Sequence, residues 1–377
     1  MIYYPGRVVF GSDSLAQMAE DYLSSGFNRL FILTIPSVLE QLSPVLNSLT
    51  RGGLLLKINT AIEAEPSFAD FEEILSEAET FNADSIAGIG GGSIMDVAKL
   101  VAALLRSNQQ IRSVVGIGKV KQRKTHLVCM PTTSGTGSEV SPNAILLDKE
   151  NNSKSGIVSP FLVPDSAYVD PALTLSLPPS VTAYTGMDAL THCIEAFTNR
   201  FAHPMIDVLA LEGIRLITAS LKIAFNHGED LNARSKVSLG SLYGGICLGP
   251  VNTAAVHALA YPLGSEFKIT HGLANALMLP YVMEFNLPAT ENKYAEIALA
   301  MGLAREKSDF DTAVRGIVFI RRLMSDCSIP CHLSDIGITA DAIGGLAQSA
   351  MLVQRLLKNN PKEISLNDAE SIYKAAY

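Results

Sequence analysis

The sequence contains no apolar run near the roughly 18–20 residues of a membrane-spanning helix, so a membrane partner is not expected. Its opening, MIYYPGR, lacks the charged and apolar regions of a secretory signal, and no such signal is expected. Cysteines are few, at positions 129, 193, 247, 327 and 331. An odd, scattered set fits a reducing cytoplasm better than a disulfide framework. Cys327, Cys331 and His332 lack the second ligand pair of a zinc finger. Positive charge is also scarce: 29 Lys and Arg against 37 Asp and Glu leave a net charge of −8. That balance excludes a basic nucleic-acid-binding surface. No Gly-x-Ser-x-Gly elbow and no Gly-Lys-Ser/Thr phosphate loop occurs, which removes the usual serine-hydrolase and P-loop readings.

What is present is apolar and long. Hydrophobic residues make up 48% of 377, enough to bury more than one core and far from the composition of a disordered chain. In the first half, short apolar runs at 30–34, 54–58, 85–89 and 126–130 alternate with helical patterns at 37–49, 67–80 and 93–106. Such alternation implies a parallel sheet covered by helices. After Pro178 and Pro179 long helical patterns take over, at 182–198, 204–226, 233–248 and 252–263. Two prolines cannot continue a helix or a central strand. The expected domains are therefore 1–180, α/β, and 181–377, all-helical.

Residues 85–99 read as a strand, a triple-glycine turn and a helix start. Glycines let a backbone approach a phosphate, and a helix N-terminus offers free N–H groups there. Ser93 is a candidate cap for that helix. The G-x-G-x-x-G fingerprint is incomplete, because its last glycine falls on Ser93. A second polar loop, PTTSGTGSE at 131–139, follows the strand at 126–130, at the strand end where open α/β sheets bind ligands. Each loop alone also reads as an ordinary turn; together they favour a nucleotide.

Among seven histidines, His192 lies four residues after Asp188, on the same helix face. That spacing suits a helical hydrogen bond as well as a shared cation. His257 lies in an apolar helical stretch, where a satisfied core histidine is the plain reading, and His271 opens a further segment. Three imidazoles and a carboxylate, if they met, would suit Fe2+, Zn2+ or another transition cation. Spacing does not establish that they meet.

Taken in order, GGGSIMDVAK at 90–99, PTTSGTGSE at 131–139, GMDALTHCIE at 186–195, HALAYPLG at 257–264 and HGLAN at 271–275 resemble the iron-containing (group III) alcohol dehydrogenases. The resemblance spans essentially the whole chain. It implies a Rossmann-like dinucleotide-binding domain and an all-α metal- and substrate-binding domain, the architecture of dehydroquinate synthase. It implies Asp188, His192, His257 and His271 as ligands of Fe2+, Zn2+ or another divalent cation. Gly91, Gly92, Ser93, Asp96, Thr132, Thr136, Asn143 and Lys154 match positions that contact NAD or NADP. The implied reaction moves a hydride between nicotinamide and a small alcohol or carbonyl; a maleylacetate-reductase-like or hydroxyacid-oxoacid transhydrogenase activity is the alternative on this fold. A homodimer or larger homo-oligomer in the cytoplasm is implied too. A lyase of the dehydroquinate synthase kind would need Lys and Arg around a polyanion, and the segments near the candidate ligands read as apolar.

Two positions depart from the family. Tyr261 stands where many relatives carry a further histidine, which makes it the candidate proton relay. Ile35 follows the strand at 30–34, where NAD-preferring relatives often place an aspartate, so neither NAD nor NADP is excluded.

Overall fold

The run Arg29–Leu33 alternates its side chains between two buried faces, which is why it reads as unbroken apolar sequence rather than as an alternating strand. It is the centre of a sheet in the first of two units, residues 1–176 and 177–377, of a computed structural model that describes residues 3–62, 65–150 and 153–377.

In chain order the first unit comprises β1 (Arg7–Phe10), α1 (Ser14–Ser25), β2 (Arg29–Leu33), α2 (Leu39–Arg51), β3 (Leu55–Asn59), α3 (Phe68–Phe81), β4 (Ser85–Gly90) and α4 (Gly92–Leu104). It continues through β5 (Gly116–Ile117), β6 (His126–Pro131), β7 (Asn143–Asp148), β8 (Ser153–Val158) and β9 (Ser166–Val169). Six strands form one sheet in the order β1-β9-β6-β4-β2-β3, every pair parallel. Phe31, Leu33, Ile86 and Leu127 pack on α3 and α4 through Phe71, Ile74, Val97 and Val101. Leu30, Ile32, Ala87 and Val128 pack on α1 and α2 through Met18, Tyr22, Leu42 and Leu49. The register sets Gly90 beside Pro131, so the loops that follow β4 and β6 leave the sheet side by side.

Several elements escaped the sequence reading. β1 is mostly exposed, and β9 is only four residues long, too short for a periodic signal. β7 and β8 form an antiparallel hairpin joined by β5 into a second, three-stranded sheet.

The second unit contains α5 (Pro179–Thr198), α6 (Pro204–Asn226), α7 (Leu231–Leu248), α8 (Ala255–Phe267), α9 (His271–Ala300), α10 (Asp309–Asp326), α11 (Ile343–Met351), α12 (Gln354–Leu357) and α13 (Leu366–Ala376). Among the described residues no strand follows Val169, as the patterning predicted. α8 starts later than expected and runs through Pro262 to Phe267. α9 is kinked at Thr290 (φ −153°), two residues after Pro288, whose ring and missing N–H break the helical ladder.

Candidate functional site

α5 places Asp188 and His192 one turn apart on a buried face. α8 contributes His257, also buried, and α9 contributes its first residue, His271, half-buried. One ligand atom from each lies within 4.8 Å of the others. The Nε2 atoms of His257 and His192 are 3.0 Å apart. Asp188 Oδ1 is 3.8 Å from His192 Nε2 and 3.6 Å from the Nε2 atoms of His257 and His271. Ligands bound about 2.0–2.1 Å from one ion stand roughly 3–3.5 Å from each other, so the spacings about Asp188 and between His257 and His192 are near those of a shared cation. A helical Asp–His hydrogen bond, the plain reading of the spacing, does not account for two further imidazoles arriving from other helices.

Close helix packing makes the convergence possible. A Cβ on Gly272 would lie 2.4 Å from the carbonyl oxygen of Tyr184, so only glycine lets the start of α9 approach α5 this closely. A Cβ on Gly244 of α7 would lie 3.2 Å from Cβ of His192.

Two neighbours complete the cluster, and the sequence reading assigned neither a role. Glu195, one turn beyond His192, accepts from His257 Nδ1 at 2.6 Å and from the Val256 N–H at 2.6 Å. Asn275, one turn beyond His271, donates to Asp188 Oδ1 at 2.7 Å, while its own Oδ1 is buried with no partner among the described residues. Both stand one helical turn from a ligand, the spacing that could have found them. Electrostatics follow from this crowding. Burial lifts the Asp188 carboxyl, but His192, His271 and His257 outweigh it and hold the group well below the usual carboxylate range. Burial pushes the His257 imidazole down, yet Glu195 and Asp188 overcome it and raise the group to about 10. The field of two buried carboxylates favours positive charge at this point.

Tyr261 lies one turn after His257, its ring 6.1 Å from that of His271, and its hydroxyl accepts from Arg355 Nη2 at 3.0 Å. Arg355 comes from α12, distant in sequence from Tyr261. Cys327, Cys331 and His332 join no metal-binding group among the described residues.

In the first unit the structure brings the glycine turn and the Ser/Thr loop together. Thr132 donates its N–H to the Gly90 carbonyl at 3.0 Å, and a Cβ on Gly92 would meet Thr136 Cγ2 at 2.7 Å. α4 begins at Gly92 with Gly91 as its cap, so Ser93 sits inside the first turn and does not cap it, a correction to the expected role. The first-turn N–H groups of any helix have no partner within the helix and face the N-terminal side. Thr132 Oγ1 and Asn143 Oδ1 are buried and bond to no protein atom among the described residues, as groups awaiting a ligand would. Asp96 turns inward instead, accepting from Ser138 Oγ at 2.5 Å and from the Ile145 N–H at 2.9 Å. Beside it Lys99 Nζ, fully buried, donates to Ser138 Oγ at 2.7 Å, Asn143 O at 2.9 Å and Ser141 O at 3.0 Å. This network pins the Ser/Thr loop to α4 and β7. Lys154, on β8, pairs with Glu65, which precedes α3.

Residues 5–171 match the family described as iron-containing alcohol dehydrogenase, and residues 182–377 match the C-terminal domain of the Fe-containing alcohol dehydrogenase family. The chain is 34% identical over 382 residues to long-chain-alcohol dehydrogenase 1 of Geobacillus thermodenitrificans, covering 100% of this chain and 96% of that one. Its fold superimposes on a 1,3-propanediol oxidoreductase with a TM-score of 0.96 at 30% identity, covering 100% and 99% of the two chains. It also superimposes on the sulfoacetaldehyde reductase of Bifidobacterium kashiwanohense in complex with NAD+, with a TM-score of 0.90 at 27% identity and coverage of 100% and 98%.

Proposed function

The chain belongs to the iron-containing alcohol dehydrogenase family, and from that premise we propose that Asp188, His192, His257 and His271 hold one divalent cation, while Gly91, Gly92, Ser93, Thr132 and Thr136 line the seat of a nicotinamide dinucleotide. It is an oxidoreductase acting on alcohols and aldehydes. The observation that carries the site assignment is the meeting of three imidazoles and one carboxylate, drawn from α5, α8 and α9, within 4.8 Å. The mixed nitrogen and oxygen set suits Fe2+, with Zn2+ the next choice. When bound, the cation supplies Lewis acidity at the substrate oxygen and the dinucleotide supplies the hydride partner.

The chain's own residues prepare that chemistry. Glu195 accepts from Nδ1, so a neutral His257 carries its proton there and would present its Nε2 lone pair to a bound cation. Asn275 fixes the Asp188 carboxylate. Tyr261 is the group to which we assign proton transfer to or from the substrate oxygen, supported by its position next to His271 and its hydrogen bond from Arg355. Asp96 and Lys99 hold the loop that carries Thr132 and Thr136. No carboxylate at Ile35 opposes a 2′-phosphate, which leaves the dinucleotide open to NAD or NADP. We further place the enzyme in the cytoplasm as a homodimer or larger assembly, on the strength of the family resemblance.

His257→Ala is expected to lose bound metal and aldehyde-reductase turnover together, the latter by roughly 100-fold or more. Metal analysis and the absorbance of reduced nicotinamide read the two. An unchanged rate after exhaustive chelation of the wild type would sink the cation assignment.

A further inference from the structure

The unit that carries the candidate ligands sets an arginine against Tyr261, the ring that neighbours His271. Arg355, in α12, has its guanidinium carbon 5.8 Å from the centroid of the Tyr261 ring and donates to that ring's hydroxyl. The same ring neighbours His271. Arg355 is half-buried, and among the described residues no carboxylate lies within ion-pairing distance of it. Elsewhere in this unit Arg215, Arg305, Arg315, Arg321 and Arg322 each pair with a carboxylate, and the buried Arg234 is satisfied by Thr182 Oγ1 and the Gly228 carbonyl. A guanidinium has five N–H donors and keeps its charge at any working pH, and a phenol oxygen occupies one donor. Its planar fork matches the oxygens of a carboxylate or sulfonate and binds them in bidentate fashion.

We propose that Arg355 determines the substrate class: a short aldehyde or alcohol whose far end carries a carboxylate- or sulfonate-type anion, seated on the Arg355 fork while its reacting end faces Asp188, His192, His257 and His271. This rests on the function proposed above. Arg355 Cζ and the His271 ring lie 5.8 and 6.1 Å from the centroid of the Tyr261 ring, so one aromatic side chain separates the guanidinium from the ligand cluster. A neutral substrate would leave the half-buried charge without a counterion, so discrimination comes from the unpaired fork as much as from the new contact.

The experiment compares 4-oxobutanoate with butanal, which has the same carbon chain without the charge. Both are reduced by the cation-loaded enzyme with reduced nicotinamide. For the wild type, kcat/KM should favour 4-oxobutanoate by roughly 10- to 100-fold. Arg355→Ala should collapse that preference mainly through KM, and Arg355→Lys should restore only part of it, because charge returns without the fork. Calorimetric titration with butanoate, which is not reduced, supplies a readout independent of turnover: binding should weaken at least about 10-fold in Arg355→Ala. A wild type that prefers butanal, or an Arg355→Ala that changes both aldehydes by one factor, overturns the proposal. Turnover of neither aldehyde counts against the proposed function, and the butanoate titration still decides Arg355: equal binding to wild type and variant overturns its role, and loss of binding upholds it.

Discussion

Glu195 decides which nitrogen of His257 is free to bind. Its two oxygens are both used, one by the imidazole and one by the Val256 N–H. A glutamine there could accept only one of these and would present an N–H to the other. Glu195→Gln should therefore weaken cation binding by roughly 10- to 100-fold, measured by competition with a chelator, with the dinucleotide affinity unchanged. Equal cation affinity in the two proteins would show that His257 needs no such partner. Glu139 makes a contrasting case in the first unit. Burial raises its carboxyl to about 7, against the opposing pull of its own backbone N–H and of Lys99. A carboxyl raised on folding contributes stability that is whole below its unfolded value near 4.3 and is lost as pH climbs through the folded one. Glu139→Gln should flatten the decline in stability between about pH 4 and 7 and gain at most about 4 kcal/mol at pH 8. Urea unfolding across that range checks it, and parallel curves for both proteins would refute the effect.

At the scale of elements, packing distance rather than propensity sets the geometry. The Tyr184 atoms that a Cβ on Gly272 would strike are backbone, which cannot swing aside as a side-chain end can. Gly272→Ala should push the start of α9 away from α5, carrying His271 from Asp188. A loss of about 1–3 kcal/mol in stability and a parallel fall in cation affinity are expected. A melting curve and a cation titration test the two together, and an unchanged cation affinity would show that the approach does not set the site. The same logic holds at β4, where a Cβ on Gly88 would lie 2.7 Å from Cβ of Ala98. Most elements were legible because their signals are local. β2, β4 and β6 are apolar runs, and α6 starts at Pro204 behind His203, whose ring accepts from the Met205 N–H. β1 and β9 were not, because short or exposed strands gain their stability from a partner remote in sequence.

Over the whole molecule, the sequence by itself determined an α/β unit followed by a helical one and the residue types needed for a cation and a dinucleotide. Periodicity, glycine turns and helix-face spacing are properties of near neighbours in the chain, and near neighbours are all that a sequence displays directly. Tertiary structure decided what depends on distance through space. It brought His257 within 3.0 Å of His192 across 65 positions of chain. It turned Asp96 inward to hold the Ser/Thr loop, gave His257 its Glu195 partner, and set Arg355 beside Tyr261 across 94 positions. No local pattern encodes those meetings, because each is fixed by how helices and strands from separate parts of the chain bury their apolar faces against one another.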